Sequence, residues 1–405
     1  MNLLDRLAER LGLTRAQALA LFAIVLGGLA VRLAMLALRY PHAMSHDELG
    51  YDFMARQLVE RGVLGYYSPK ANAYVTPGYP LALAGAFKLA QSLGGGHALG
   101  LAVARVAQAL LGAATIALVF ALGRKVANAT VGLGAAAVFA VYPSSFMAQG
   151  RILTESLFTV LFVGWLLVAL VVRERRTLAW HLASGALFAL AALVRPTLLP
   201  LLPLLYVLDL IERRDWRFAA IGGLVAVLAF SAVMSPWWIR NRVSLHRTVL
   251  FATESGNPFL RGTDPWDPYD KRGPSIINGV AEADQMRVGL TRVRQGLRTD
   301  PLNWIAWFTV GKWWYLWGTP WMESWLLSRV LHDVAILVLG WIGIVVGLAD
   351  RRARLLALAI LVITATQLMF IPIPRYAYPL TPVAAVLGML AVSKAYSSAG
   401  LRRAR

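Results

Sequence analysis

The sequence contains no cysteine and few acidic residues, and both shortages limit what the protein can do. Without cysteine there is no disulfide, no thiolate metal site and no cysteine nucleophile. Asp and Glu number 21 against 40 Lys and Arg, which gives a formal net charge of +19. The basic residues form short clusters between apolar runs, a pattern typical of the cytoplasmic turns of multi-pass membrane proteins. A lipid bilayer is therefore the expected environment, and nucleic acid is not an expected partner.

Charged residues are too scarce for a soluble protein of this length. Only 15% of the 405 residues are charged, whereas 58% are hydrophobic. Most of the chain must therefore face lipid or other apolar segments. The first apolar run, residues 19–38, is about 20 residues long, which suits an uncleaved first span better than the core of a signal peptide.

The apolar runs predict an all-α polytopic membrane protein of about ten spans, with both termini in the cytoplasm. We expect these spans at about 19–38, 100–122, 129–147, 153–172, 178–194, 197–211, 218–238, 326–348, 355–374 and 377–392. Basic clusters mark the cytoplasmic turns, at residues 124–125, 173–176, 213–217, 351–354 and 402–405. Residues 77–93 are also apolar, but Lys88 and Gln91 interrupt them, so we expect an interfacial helix there.

This topology leaves two large polar regions on the outer face and divides the chain into three parts. Residues 1–238 form a transmembrane module with its first external loop at 39–99, and residues 239–325 form a second external region. Residues 326–405 contain the last spans and a cytoplasmic tail. Six of the eight tryptophans in the second region lie within residues 304–321 and predict an aromatic helix that anchors in the interface rather than stacks on substrate. They are Trp304, Trp307, Trp313, Trp314, Trp317 and Trp321.

The sharpest local feature is the run from Ser45 to Asp52, Ser-His-Asp-Glu-Leu-Gly-Tyr-Asp, directly after the first span. Carboxylates this dense are unusual beside a membrane. Ser45 and Glu48 match a capping box, which predicts a helix start and offers Glu48 a purely structural role. In the functional alternative, Asp47 is a base or an electrostatic anchor that the same cap holds above the membrane surface.

A second charged motif, residues 151–155 (Arg-Ile-Leu-Thr-Glu), lies at the predicted outer end of the third span. Charged side chains that begin an apolar helix are costly unless they face water or each other. Arg151 and Glu155 could simply pair at the interface. Alternatively they could converge with Asp47 on one site, since all three are on the same predicted side of the membrane.

Arginines lie at several predicted outer helix ends: Arg105, Arg195, Arg240 and Arg375, the last followed by Tyr376. A lipid-linked phosphate needs cations at this depth, and guanidinium groups bind phosphate through paired hydrogen bonds. The alternative for each arginine is extension toward lipid headgroups. Prolines near these positions are expected to break the helices.

His42 and His46 are four residues apart and close to Asp47, a spacing that could indicate a metal-binding site. Pro41 and the predicted cap at Ser45 argue that the two imidazoles do not share a helix face. We therefore expect neither a metal nor another cofactor. The sequence contains no phosphate-binding loop, dinucleotide fingerprint or nucleophile elbow, so nucleotide hydrolysis has no support.

Taken in order, these motifs resemble those of bacterial GT-C glycosyltransferases of the protein-mannosyltransferase-like and lipid A aminoarabinose- or galacturonosyl-transferase-like superfamily. Residues 46–48 with Tyr51 are similar to its acidic motif in the first external loop. Residues 76–81 resemble the start of its juxtamembrane helix, and residues 151–155 resemble its second-loop motif. Residues 236–241 resemble its P-W-x-x-R-N turn, and residues 255–262 resemble a glycine pattern that follows this turn. Residues 375–376 resemble its R-Y pair.

The sequence departs from the aminoarabinose branch at two positions. That branch has an arginine where this chain has Gly50 and a lysine where this chain has Thr76. Both are regarded as phosphate contacts, so the phosphate role would move to Lys70, Arg105 or Arg151. Neither branch's sugar or acceptor can therefore be carried over to this chain.

The resemblance implies a GT-C fold and the inverting transfer of a sugar from a polyprenyl-phosphate donor to a glycan, lipid or protein acceptor. It places this reaction on the extracytoplasmic face of the bacterial cytoplasmic membrane. The catalytic acids would be Asp47, Glu48 and Glu155. The substrate-binding residues would be Tyr51, Lys70, Arg105, Arg151, Arg195, Arg240, Arg375 and Tyr376.

Two other functions fit the composition. One is a non-enzymatic polyprenyl-phosphate transporter or flippase, and the other is a receptor or assembly subunit without chemistry. A flippase needs charged groups along a path through several spans. The acids of this chain instead cluster on one predicted face, which favours the enzyme.

Overall fold

The computed structural model describes residues 5–6, 8–9, 12–39, 43–322 and 326–403. Within these ranges the chain is all-α, as predicted, and contains no strand. The first helices are α1 (Arg15–Arg39), α2 (Asp47–Arg61), α3 (Gly78–Ser92), α4 (His97–Val126), α5 (Ala129–Val141), α6 (Ser144–Gly150), α7 (Glu155–Arg175), α8 (Leu178–Val194) and α9 (Leu201–Arg213). They are followed by α10 (Phe218–Leu245), α11 (Gly256–Arg261), α12 (Glu282–Thr299), α13 (Pro301–Ala306), α14 (Lys312–Trp317), α15 (Leu326–Ala349), α16 (Arg354–Gln367) and α17 (Pro374–Ala399).

Six helices of the described residues are long and apolar enough to cross a membrane: α1, α4, α7, α10, α15 and α17. The pair α5 and α6 would make a seventh span if its two bent halves are counted together. The chain is therefore a multi-pass membrane protein. Helices α8 and α16 are apolar but shorter, with 17 and 14 residues, and α9 has 13. The number of ten spans stays a prediction.

The predicted span at 129–147 is not one straight helix. Helices α5 and α6 meet at Pro143 with a bend of 60°. At this bend Arg32 of α1, which is fully buried, donates hydrogen bonds to the carbonyl oxygens of Ala140 (2.9 Å) and Phe139 (3.3 Å). A cation at a helix C-terminus satisfies carbonyls that have no partner within the helix. Arg32 thus stabilises the break, and the sequence reading had assigned it no role.

The expectation that Pro236 breaks its helix is wrong. Helix α10 passes through Pro236 and continues to Leu245, so Arg240 lies inside a helix rather than after a break. Proline is tolerated in membrane helices because neighbouring groups satisfy the backbone atoms that it leaves unpaired. Two further helix ends differ from the predicted spans, since α16 ends at Gln367 instead of near 374 and α17 begins at Pro374.

The tryptophan-rich segment packs partly inside the molecule. Trp307 and Trp317 are fully buried and donate hydrogen bonds to the Gly262 carbonyl (2.9 Å) and to Thr364 Oγ1 (3.3 Å). Lys312, also buried, donates to the Leu368 carbonyl (2.9 Å). Trp317 and Lys312 therefore fasten the external region to α16 and the residue that follows it, whereas Trp307 binds within the external region. These contacts go beyond the anchoring that the sequence predicted.

Small residues allow the helices to pack closely. A Cβ atom added to Gly185 of α8 would lie 2.0 Å from the carbonyl oxygen of Ala226 in α10. One added to Gly343 of α15 would lie 2.2 Å from the backbone of Leu387 in α17. Helix pairs in membranes commonly approach through glycine in this way. These contacts fix α8 against α10 and α17 against α15.

Among the described residues, the two ends of α7 carry side chains of opposite charge, acidic in the first turn and basic in the last. Glu155 begins the helix, and Arg173 and Arg175 end it. At about 1.5 Å per residue the two ends are roughly 30 Å apart, the thickness of a bilayer core. Arg173 pairs there with Glu212, at what we call the basic end of the molecule. The end that carries Glu155 is called the site end.

Candidate functional site

Helix α2 begins at Asp47 without the predicted capping box. Its N-cap is His46, with a positive φ of 40°, and no side chain caps the helix. The interpretation of Ser45 and Glu48 as a cap is therefore wrong. Asp47 is instead held from outside α2, because the Tyr66 hydroxyl donates to its Oδ1 at 3.4 Å. Tyr66 approaches so closely that a Cβ at Gly50 would lie 2.3 Å from its ring, which only glycine permits.

Glu48 is buried and links the two charged motifs. Its carboxylate accepts hydrogen bonds from the Ile152 backbone N–H (3.0 Å) and from Arg151 Nη1 (3.1 Å). Arg151 is thus paired with Glu48 and not with Glu155, so the simple interfacial pair considered for residues 151 and 155 does not form. The contact fixes the start of α2 against the segment that precedes α7.

Two acids and two arginines form an ion-pair chain at the site end. Arg375 donates to the Asp47 carboxylate, and its Nε lies 3.7 Å from Glu155 Oε1. Arg195 Nη2 lies 3.2 Å from the same Glu155 oxygen. The ring of Tyr376 lies 5.0 Å from the Arg195 guanidinium and 5.3 Å from that of Arg375. Residues that are more than 300 positions apart in the sequence therefore meet in one cluster.

The charge of Arg375 determines the ionisation of Asp47. Burial alone would raise the pKa of Asp47, but it is outweighed by the positive charge and hydrogen bond of Arg375, together with the charge of Arg195 and the hydrogen bond from Tyr66. The pKa of Asp47 therefore lies below its ordinary value. Asp47 is a stable anion and a weak base.

Two cavities meet at this ion-pair chain. The tyrosine cavity, of about 580 Å³, is lined by Tyr66, Tyr67 and Tyr74 among others. The apolar cavity, of about 400 Å³, is lined mainly by aliphatic and aromatic side chains, with Arg195 as one of its charged groups. The residues that line both cavities are Asp47, Glu254, Pro258, Arg375 and Tyr376. A molecule in either cavity would reach the same charged groups.

The remaining predicted site residues divide into two groups. Tyr51 lines the apolar cavity, and Glu155 is buried behind Arg195 and Arg375. Lys70, Arg105 and Arg240 do not line either cavity.

Arg105 and Arg240 instead bind backbone oxygens of neighbouring segments. Arg105 Nε donates to the Gly150 carbonyl at 3.1 Å. Arg240 donates to the carbonyls of Asn72 (2.8 Å) and Leu64 (2.7 Å) and so fastens the first external loop to α10.

Glu254 is a site residue that the sequence reading missed. Its backbone N–H donates to the Tyr74 carbonyl (3.1 Å), beside a bond from Thr253 N–H to the Ala73 carbonyl (2.9 Å). This short pairing carries Glu254 into both cavities. Burial, and next the negative charge of Asp47, raise the pKa of Glu254 to about 7. The only sequence signal was an acid directly before the glycine pattern at 255–262.

The structure also bears on the metal question. Within the described ranges no three His, Asp or Glu side chains are grouped so that they could hold a metal ion. His46 lines the tyrosine cavity, whereas His42 lies outside the described residues.

Comparison with known proteins begins at the level of sequence. The family described as dolichyl-phosphate-mannose-protein mannosyltransferase matches residues 76–239, which include the end of the first external loop and α3 to most of α10. No curated protein matches this sequence at a significant level.

Solved structures extend the likeness to almost the whole chain. The oligosaccharyltransferase AglB from Archaeoglobus fulgidus, in complex with an inhibitory peptide and a dolichol-phosphate, matches with a TM-score of 0.56 and 16% identity over 95% of this chain. ArnT from Cupriavidus metallidurans, bound to undecaprenyl phosphate, matches with a TM-score of 0.53 and 16% identity over 92%. The chain has the GT-C fold.

The chain spans only part of the length of the structures that it resembles. It covers 51% of AglB and 59% of ArnT. The matches to AglB and ArnT confirm the fold that was predicted from the ordered motifs.

Proposed function

We propose that this protein is a membrane glycosyltransferase that moves a sugar from a polyprenyl-phosphate donor to an acceptor hydroxyl on the extracytoplasmic face. The observation that carries the proposal is the meeting of an apolar cavity and a tyrosine-lined cavity at one cluster of two arginines and two acids. A lipid-linked sugar and its acceptor need such a pair of spaces. The GT-C fold and the family match support the same class of reaction.

The donor fits the apolar cavity. Its lining is mostly aliphatic and aromatic, which suits an isoprenoid chain, and Arg195 and Arg375 reach into it. Guanidinium groups bind phosphate oxygens through paired hydrogen bonds. Two of the structures that share the fold were solved with a dolichol-phosphate and with undecaprenyl phosphate. Those ligands support a polyprenyl phosphate for this chain as well.

The reaction would be a single displacement at the anomeric carbon. The acceptor oxygen forms a bond to this carbon from the face opposite the phosphate, and its proton passes to a carboxylate at the junction of the two cavities. The bond from the carbon to the phosphate oxygen breaks, and polyprenyl phosphate leaves with the electron pair, so the anomeric centre is inverted. Arg195 and Arg375 stabilise the charge that develops on the phosphate. Asp47 and Glu155 hold these guanidinium groups in position, and Asp47 also orients the acceptor.

The chemistry does not require a cofactor. A monophosphate leaving group carries less charge than a diphosphate, and two guanidinium groups line the cavity to which we assign it. We therefore propose transfer without a metal, so that a chelator should leave the rate unchanged. The acceptor class (glycan, lipid or protein) stays open.

The test uses purified protein in detergent with extracted polyprenyl-phosphate sugars and envelope extracts as acceptors. Release of free polyprenyl phosphate together with a glycosylated product of inverted configuration supports the proposal. The rival transporter predicts no release from any donor, and labelled donor that crosses the bilayer of proteoliposomes. That second result would replace the enzyme with a flippase.

A further inference from the structure

The two carboxylates that line both cavities differ in their partners. Asp47 is bound to Arg375 and receives a hydrogen bond from Tyr66. The Glu254 carboxylate makes no hydrogen bond or ion pair with any described residue. Glu254 is therefore the acid at the junction whose oxygen atoms are free to meet a substrate.

The backbone holds Glu254 in place although its side chain is unpaired. The bond from Glu254 N–H to the Tyr74 carbonyl ties it to the first external loop, and its own carbonyl accepts a bond from Asn257 N–H at 3.0 Å. Tyr74 lines the tyrosine cavity beside it. The backbone of Glu254 is thus fixed, and the residue lines the tyrosine cavity, which we assign to the acceptor.

The groups around Glu254 suit it to take up a proton. Burial and the charge of Asp47 raise its pKa to about 7, with a smaller increase from Glu282 on α12. Arg375 and Arg195 act in the opposite direction, and the phenols of Tyr74 and Tyr376 line the same cavity. A general base works best when its pKa lies near the operating pH. Two acids whose surroundings separate their pKa values commonly divide the roles of anion and base.

We propose that Glu254, and not Asp47, is the general base of the transfer reaction. The proton of the acceptor hydroxyl passes to a Glu254 carboxylate oxygen as the acceptor oxygen bonds to the anomeric carbon. The polyprenyl phosphate leaves with the electrons of the broken bond, so charge and atoms balance. Asp47 stays ionised and keeps Arg375 on the leaving phosphate. This assignment rests on the glycosyltransferase function proposed above.

The first measurement is the pH dependence of kcat/KM for the acceptor in the wild-type protein. Glu254 must be deprotonated to act, so the rate should fall as pH decreases through about 7, the pKa given above, and reach a plateau at higher pH. A wild-type rate that is flat from pH 5 to 8 would overturn the assignment.

The second measurement compares Glu254→Gln with Glu254→Asp and with Glu60→Gln, a matched change at an exposed position of α2. Glu254→Gln should lower kcat about 10²–10⁴-fold and remove the low-pH decline, while KM for the donor is unchanged. Glu254→Asp should retain part of the rate together with the decline, and Glu60→Gln should match the wild type. Equal thermal unfolding midpoints establish that each variant is folded.

The outcomes separate this inference from the function on which it rests. Absence of transfer by the wild type would overturn the glycosyltransferase itself. Transfer by the wild type with Glu254→Gln within about threefold of it would leave the function standing and remove Glu254 as the base. A rise in the donor KM of Glu254→Gln with unchanged kcat would also overturn the assignment, because it would show a binding role only.

Discussion

At the residue scale, the chemistry of the site depends on charged side chains that restrain one another. Glu155 lies within ion-pair distance of Arg195 and Arg375, and Asp47 holds the second of these. Each arginine can therefore face a phosphate while an acid fixes its position. Because Arg195 lines only the apolar cavity and Arg375 lines both, the two arginines should affect donor and acceptor differently.

Arg195→Gln tests this difference. Loss of a charge-assisted hydrogen bond to phosphate should raise KM for the donor about 10- to 100-fold and leave KM for the acceptor nearly unchanged. Steady-state kinetics with each substrate varied in turn measure both constants. Arg287→Gln, on an exposed part of α12, is the matched control. Equal increases in the two KM values would contradict the placement of the donor.

Glu48 has a structural role that a stability measurement can detect. Glu48→Gln removes the charge that pairs with Arg151 and weakens the bond from the Ile152 N–H. The expected loss is about 1–3 kcal/mol of unfolding free energy, seen as a lower thermal unfolding midpoint in detergent. Glu60→Gln should leave the midpoint unchanged. An unaltered midpoint for Glu48→Gln would show that this contact contributes little.

Local sequence patterns indicated which residues belong to the site better than they indicated which residues these contact. Asp47, Glu155, Arg195 and Arg375 could be selected because charge beside an apolar helix is costly unless it is used. The partner of Glu48 could not be predicted, since the capping-box pattern considers only four residues and the true donor is the Ile152 N–H, 104 positions away. Glu254 was missed because its place in the site depends on a bond to the Tyr74 carbonyl, which is also far away in the sequence.

At the scale of helices, packing depends on a few glycines. Gly185→Ala would put a methyl group 2.0 Å from the Ala226 carbonyl oxygen, whereas the nearest atom to the same change at Gly164 is 3.7 Å away. Forced separation of α8 and α10 should cost about 1–3 kcal/mol and lower the thermal unfolding midpoint. Gly164→Ala should be neutral or slightly stabilising. Equal midpoints for the two variants would contradict the close contact.

The apolar runs predicted the positions of the helices well, but they predicted the ends of the helices less accurately. The predicted span at 178–194 has the bounds of α8, and the one at 153–172 agrees with α7 to within three residues at each end. The bend between α5 and α6 and the passage of α10 through Pro236 depend on tertiary partners. The buried Arg32 satisfies carbonyls at that bend, and no local rule describes such a contact.

At the scale of the whole molecule, the two ends of the helix bundle differ in charge, and this difference predicts the orientation in the membrane. Basic clusters favour the cytoplasm, which leaves the site end outside. The absence of cysteine allows a direct test with single-cysteine variants and an impermeant maleimide. Lys70→Cys should be labelled in spheroplasts, and Arg352→Cys only in inside-out vesicles. The reverse pattern would place the site in the cytoplasm.

The measurement that tests the central claim most directly is release of free polyprenyl phosphate by purified wild-type protein and by Asp47→Asn. Asp284→Asn, on an exposed face of α12, is the matched control. We expect release by wild type and control, and a loss of about 10²-fold or more in Asp47→Asn, because Arg375 is no longer held on the departing phosphate. Undiminished release by a folded Asp47→Asn protein would contradict a reaction at the junction of the two cavities.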